Sequence, residues 1–150
     1  MTKKAGSVTN LGIPMTKVTM PSTEATLKCC PINNTFNIVA KRFAILILRN
    51  MINSKQNRFN QLLNSIEDCN PKTLSVRLRE MEKHGLIERK VYSNEKPVRV
   101  EYWPTEKGLA FQPILDTMAV YSLRYCSKDV FKDGKPRKFK EVYGREINLH

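Results

Sequence analysis

Residues 71–83 combine cationic, hydroxyl-bearing and apolar side chains at helical spacing. Leu74, Leu78 and Met81 recur at intervals of four and three, which predicts one buried face. The side chains left for the outer face and its flanks are Lys72, Thr73, Ser75, Val76, Arg79 and Lys83. Long cationic donors suit guanine edges and phosphates, hydroxyls suit several bases, and apolar atoms suit thymine methyl groups. This helix therefore has the chemistry needed to enter the major groove of DNA.

Local signals delimit this helix. Asn70 is a favourable N-cap, and Pro71 suits the first helical position because its missing N–H would have no partner there. Gly85 predicts a left-handed residue at the helix end. We expect the N-terminal half to reach bases, and Arg79 and Lys83 to touch phosphates. A basic outer face is more often only a solvated surface, so the neighbouring elements must decide.

A β-hairpin is predicted directly after this helix. The runs "LIERKVY" and "VRVEYWP" flank the polar loop "SNEKP", and the second run alternates as half-buried strands do. Lys90, Lys96 and Arg99 could follow the DNA backbone or enter a minor groove, where negative potential is concentrated. In the alternative, the hairpin only covers the core, its charges are solvated, and Arg99 forms a surface pair with Glu101.

Further helices are predicted on both sides of this pair. An apolar stripe over residues 36–51 predicts a central core helix, separated near residues 39–41 from a short preceding one. A second short helix covers residues 58–66. After the hairpin, Thr105 caps a long helix that is expected to bend at Pro113 without breaking. This order predicts a mainly α fold with a small β-hairpin (α+β), a winged helix-turn-helix.

The sequence predicts one domain with two extensions. Residues 1–28 show no sustained period and are expected to form an arm that is flexible or contacts a partner subunit. Residues 29–126 form the winged helix-turn-helix domain, including the long C-terminal helix. Residues 127–150 are a basic tail, which is either a solvated end or a source of nonspecific DNA affinity.

The net charge favours the same class of partner. The chain has 26 Lys and Arg against 14 Asp and Glu, a net charge of +12, which attracts polyanions. No membrane span or signal peptide is predicted, so we expect a cytoplasmic, nucleoid-associated protein without a membrane partner. The four cysteines lack metal-ligand spacing and no cofactor motif is present, so neither metal nor cofactor is expected. His84 ends a helix, which argues against a Cys/His enzyme.

Four segments resemble the HxlR-type winged helix-turn-helix regulators, relatives of the MarR group. They are "CP" at 30–31, "RFNQLL" at 58–63, "NPKTLSVRLREMEKHGLIER" at 70–89 and "PVRVEYWPTEKG" at 97–108. The resemblance implies a prokaryotic, cytoplasmic transcription regulator that binds DNA as a homodimer. It also implies dimerisation through the N-terminal segment and the long C-terminal helix, with residues 71–83 as the recognition helix. The family's usual Gly-Gly-Lys-Trp turn is replaced here by "VAKRF".

The resulting hypothesis is a sequence-specific regulator of double-stranded DNA. Two recognition helices would enter successive major grooves about 34–36 Å apart. One alternative is a nonspecific or architectural DNA-binding protein. Another is a winged-helix protein-interaction module, which would show an exposed apolar patch in place of the cationic stripe. An RNA-binding winged helix would present stacking aromatic side chains, and the aromatic residues here are predicted mostly at core positions.

Cys30 has two interpretations. It precedes a proline at the position that some family members use to sense electrophiles or oxidants, and Lys28 could stabilise its thiolate. Alternatively, Cys30 is a small apolar residue buried against a partner helix. A small-molecule or redox effector is therefore an open possibility.

Overall fold

The structure is a computed structural model that describes residues 28–147. Apart from its last residue, the predicted N-terminal arm lies outside the described residues. The chain divides into two units, Met1–Cys30 and Pro31–His150, and the helices and strands of the described residues belong to the second. No helix in the described range is both long and apolar enough to cross a membrane.

The predicted order of helices followed by a hairpin is confirmed up to the end of the hairpin. The described elements are α1 (Pro31–Val39), α2 (Ala44–Ser54), α3 (Phe59–Ser65), α4 (Pro71–Lys83), β1 (Ile87–Tyr92), β2 (Arg99–Pro104), α5 (Glu106–Leu109), α6 (Gln112–Tyr125), α7 (Ser127–Val130) and α8 (Phe139–Tyr143). The fold is mainly α with one antiparallel two-stranded hairpin. The break expected near residues 39–41 is present between α1 and α2.

Helix α2 is the centre of the core, as its broad apolar stripe predicts. Ile47 and Leu48 are completely buried, and the helix packs against α3, α6 and β2. Leu62 of α3 and Leu74 of α4 are also fully buried in the same cluster. Burial of each such side chain stabilises the fold by about 1.5–3 kcal/mol. The short helices α3 and α4 are therefore held through their apolar faces.

Helix α4 ends in a Schellman motif at the predicted glycine. Gly85 has a φ of 71°, in the left-handed region that favours glycine. The N–H of Leu86 donates to the carbonyl of Met81 and the N–H of Gly85 donates to that of Glu82, both at 2.9 Å. This geometry turns the chain from α4 directly into β1.

The exit of the hairpin is tied back to this turn. The hydroxyl of Thr105 donates to the carbonyl of Gly85 at 2.6 Å, and the Thr105 N–H donates to the carbonyl of Leu86 at 3.0 Å. A Cβ at Gly108 would overlap the carbonyl oxygen of Leu86, so only glycine fits there. The angle between α4 and the hairpin is therefore held at both ends of the hairpin.

The hairpin forms as predicted, but its burial differs from the expected alternation. Glu101 is 7% exposed, whereas Val98 is 57% exposed. The Glu101 carboxylate accepts a hydrogen bond from the Trp103 indole N–H at 3.1 Å and lies 3.8 Å from Arg58 and 3.5 Å from Arg99. These partners compensate for its loss of solvent. The interpretation of Arg99 and Glu101 as a simple surface pair is therefore wrong.

The predicted long C-terminal helix is two helices. Thr105 caps the first as predicted, accepting from the N–H of Gly108 at 3.2 Å, but this helix ends at Leu109. The second begins at Gln112, with Pro113 in its first turn. The expected bend at Pro113 is wrong, because a first-turn residue needs no N–H and proline starts a helix there without cost.

The basic tail packs against α6 over its described part. Phe139 of α8 is 7% exposed, and the Arg145 guanidinium donates to both oxygens of Asp116 at 2.7 Å. The side chain of Gln112 donates to the same carboxylate at 2.6 Å. The hydrogen bond to Asp116 raises the pKa of Arg145. Residues 127–147 are therefore not the solvated end that the sequence left as one alternative.

Candidate nucleic-acid interface

Helix α4 is anchored on one side and open on the other. The Asn70 side chain accepts from the N–H of Thr73 at 2.8 Å, which confirms the predicted N-cap. Leu74, Leu78 and Met81 are buried against α3 and β1. Of the six predicted DNA-binding residues on α4, Lys72, Arg79 and Lys83 are exposed, and Thr73, Ser75 and Val76 are half-buried. The outer face of α4 thus carries the expected mixture of groups.

The exposed cations of α4 have no carboxylate partner. Lys72, Arg79 and Lys83 form no ion pair with any residue of the described range. Within the described part of the chain, Arg79 donates only from Nε, to the carbonyl of Ser75 at 3.3 Å, so its two terminal amino groups have no partner there. Arg77 differs, because it pairs with Glu80 and donates to the carbonyl of Arg42 at 3.0 Å. Arg77 therefore braces the helix against the chain before α2, whereas Lys72, Arg79 and Lys83 face solvent.

Arg99 is held by carboxylates within the hairpin. Its guanidinium lies 2.8 Å from Glu95 and 3.5 Å from Glu101, and it covers the ring of Tyr92 at 4.3 Å from the centroid. A DNA phosphate would have to compete with both carboxylates for this group. The geometry favours a bracing role for Arg99 over the predicted DNA contact.

The other two predicted hairpin cations are exposed. The Lys90 ammonium lies 2.9 Å from Glu88, and this hydrogen bond raises the pKa of Lys90. Lys96 lies at the tip, before Pro97, and forms no ion pair with a described residue. Lys96 is therefore the predicted hairpin cation best placed to meet an external anion.

Arg89 is a candidate DNA-binding residue that the sequence analysis missed. It is exposed on β1, two residues after buried Ile87 and opposite Tyr102. Strand alternation places Arg89 on the same face as Ile87, the face that packs towards α4. Arg89 and Arg79 both line one groove between α4 and the hairpin. The two-residue period of β1, counted from apolar Ile87, predicts that Arg89 lies on the same face of the strand.

A second surface is apolar and lies on α1 and α6. Phe36 is 62% exposed, Met118 is 48% exposed and Tyr121 is 61% exposed. An open groove of about 470 Å³ between the two helices is lined by residues that include Phe36, Ile114 and Met118. The prediction that aromatic residues lie mostly at core positions is wrong for this surface, because Phe36 and Tyr121 are exposed.

The cysteines of the described residues differ in exposure. Cys29 and Cys30 are exposed free cysteines, and Cys69 is half-buried. Burial raises the pKa of the Cys69 thiol, against the opposing effect of Arg42 and Arg77. Within residues 28–147, no group of three or more His, Cys, Asp and Glu side chains could hold a metal ion.

Known proteins of one family are similar to this chain in sequence. A sequence profile described as HxlR-like helix-turn-helix matches residues 38–130. An HTH-type transcriptional regulator of Synechocystis sp. is 43% identical over 89 residues, which are 59% of this chain and 64% of that protein. HTH-type transcriptional regulator YodB of Bacillus subtilis is 32% identical over 98 residues, 65% of this chain and 86% of that protein.

Solved structures agree with these sequence matches. The reduced form of YodB has a TM-score of 0.57 at 31% identity, covering 67% of this chain and 97% of that one. YodB has also been solved after diamide treatment and with quinone bound. The redox regulator HypR in its oxidized form has a TM-score of 0.54 at 32% identity, covering 62% of this chain and 94% of that one. The likeness includes the winged helix-turn-helix.

Proposed function

The chain belongs to the HxlR-like helix-turn-helix family of transcriptional regulators, and we propose that it binds palindromic operators as a homodimer. In each subunit α4 enters the major groove, and the hairpin lies over the backbone or the minor groove. The observation that carries this proposal is the anchored helix α4, whose exposed cations lack carboxylate partners among the described residues. Such a regulator acts in the cytoplasm, on the nucleoid.

The apolar surface on α1 and α6 supports a homodimer. Soluble monomers rarely leave a large contiguous apolar patch in water, and a two-fold interface buries the same patch on both subunits. Phe36 and Met118 would be covered in this way. The protein-interaction alternative needs an apolar patch on α4 in place of its exposed cations. The apolar patch lies on α1 and α6, so it does not support that alternative.

The operator tests the proposal. Selection of bound fragments from random or genomic DNA should return an approximate palindrome whose half-sites lie about 34–36 Å apart. Recovery of DNA without a common motif would favour the architectural alternative. A motif with a single half-site would contradict the two-fold arrangement.

Replacing Arg79 with Ala should weaken binding to the selected operator and to unrelated duplex by similar factors, because a bond to phosphate carries no sequence information. The slope of log Kd against log salt should fall by about 0.9 for each phosphate that the variant no longer neutralises. Fluorescence anisotropy at several salt concentrations measures both effects. Arg124→Ala, which removes an exposed arginine of α6, is the matched control and should leave the slope nearly unchanged.

Cys30 supports a second role, the response to thiol oxidants. Its side chain is exposed in the described residues, and it directly precedes α1, one of the two helices of the apolar surface. Modification there would act on the arrangement of the two subunits and hence on the spacing of the α4 helices. The solved states of YodB and HypR concern the same class of chemistry in those proteins.

Diamide treatment should therefore lower operator affinity of the wild-type protein and leave that of Cys30→Ser unchanged. Cys29→Ser, one residue away and equally exposed, should remain sensitive. Anisotropy before and after treatment, with mass spectrometry of the thiols, measures the response. Equal sensitivity of Cys30→Ser and the wild type would exclude Cys30 as the responding thiol.

A further inference from the structure

An open groove lies between α4 and the hairpin, next to the outer face of the helix. Its volume is about 470 Å³, and its lining residues are Ser75, Leu78, Arg79, Glu82, Arg89 and Tyr102. Leu78 is 2% exposed and forms the apolar base, whereas Arg79 and Arg89 are exposed. Cationic groups from two different elements therefore border one cleft.

The position of Arg89 is set by the pairing of the hairpin. In the register Arg89 lies opposite Tyr102, between the buried end at Ile87 and the exposed Val91. Because the turn at Gly85 is tied to Thr105, the hairpin is held at a fixed angle to α4. Arg89 thus reaches the cleft from a rigid strand, which reduces the ordering entropy lost when it binds a ligand.

The two arginines of the cleft differ from the other cations of the hairpin. Lys90 has Glu88 at 2.9 Å and Arg99 has Glu95 at 2.8 Å, whereas neither Arg79 nor Arg89 has a carboxylate within ion-pair distance among the described residues. Two guanidinium groups that border one cleft, neither of them ion-paired with a described carboxylate, repel each other, and an anion between them relieves that repulsion.

We propose that this cleft binds one phosphate of the DNA backbone between Arg79 and Arg89. This inference rests on the proposed function and adds Arg89 to its DNA-binding residues. A guanidinium group offers paired N–H donors whose geometry matches phosphate oxygens. Glu82, the acidic residue of the lining, weakens the site, because its carboxylate repels the same phosphate. The cleft fixes the register of α4 on the duplex and carries no base preference.

The test compares variants on the selected operator and on an unrelated duplex of equal length. Arg89→Ala should raise Kd on both duplexes by a similar factor of roughly 10 or more, and lower the salt slope by about 0.9 for each phosphate that is no longer neutralised. The double variant with Arg79→Ala should be weakened by less than the product of the two single factors, because both side chains hold one phosphate. Glu82→Gln should lower Kd on both duplexes.

Lys90→Ala is the matched control. Lys90 is the next residue of β1, points to the opposite face and already has a carboxylate partner. It should change Kd far less than Arg89→Ala, with urea midpoints confirming that both variants fold. Equal increases in Kd for Lys90→Ala and Arg89→Ala would contradict the phosphate site, because the loss of one positive charge would then explain both. If the wild type binds DNA and Arg89→Ala binds equally well, the phosphate site is wrong and the proposed function stands. If the wild type binds neither duplex, the proposed function is wrong as well.

Discussion

Replacing Met118 with Glu is expected to produce a folded monomer that binds the operator roughly 10²–10⁴-fold more weakly than the wild type. Met118 is 48% exposed on α6 and lines two apolar grooves, the one between α1 and α6 and a second along α6 that Thr117 and Tyr121 also line. In a monomer the new carboxylate stays in water, so the subunit should fold. In a dimer it would be buried without a partner, which costs several kcal/mol. A single subunit then binds through one α4 and lacks the effective concentration that the second supplies.

Sedimentation or light scattering gives the mass of this variant, and anisotropy gives its affinity. Val130→Glu is the matched control, because Val130 is 47% exposed on α7 and lies outside both grooves. It should keep the mass and affinity of the wild type. A Met118→Glu protein that stays dimeric with full affinity would place the dimer interface on another surface.

Leu78→Ala is expected to lower the free energy of unfolding by about 2–5 kcal/mol, the range for a buried leucine replaced by alanine. Leu78 is 2% exposed between α4 and the hairpin, where it also forms the base of the cleft. The cavity would loosen the anchored side of α4, on which the orientation of the outer side chains depends. Operator affinity should therefore fall although the substituted side chain never meets DNA.

Urea denaturation measures the change in stability, and the slope of the transition should match that of the wild type if the compactness of both end states is unchanged. Val76→Ala is the control on the same helix. Its side chain is half-buried and on the outer face, so a much smaller loss of stability is expected. Equal losses of stability for the two variants would contradict the assignment of Leu78 to the anchored face.

The parts of the site that sequence analysis predicted correctly depend on neighbours within a few residues. Asn70 caps α4 through a bond to Thr73, and Gly85 closes it through bonds to the preceding turn. The three- and four-residue spacing of Leu74 and Leu78 determines which side of α4 is buried. Such signals are complete within one turn of helix, so no knowledge of the rest of the chain is needed.

The errors concern contacts that depend on how separate segments pack together. Asp116 and Arg145 are 29 positions apart, and nothing in the local pattern of the tail shows that they meet. Glu101 reads as an outward strand residue until Arg58 and Trp103 are placed beside it. The helix break before Pro113 is a related case, because proline is compatible with a bend or a start, and packing of the flanking segments selects between them.

The sequence by itself determined that this protein has a capped, basic helix α4 followed by a hairpin, because caps, turns and apolar periods act over short distances. Only the tertiary structure decided which cations of that surface are available. Arg99 is bound by carboxylates, whereas Arg89 reaches the cleft beside Arg79. The physical reason is that ion pairing depends on distances of a few ångströms between side-chain atoms, and these distances are set only when the hairpin has folded and packed beside α4.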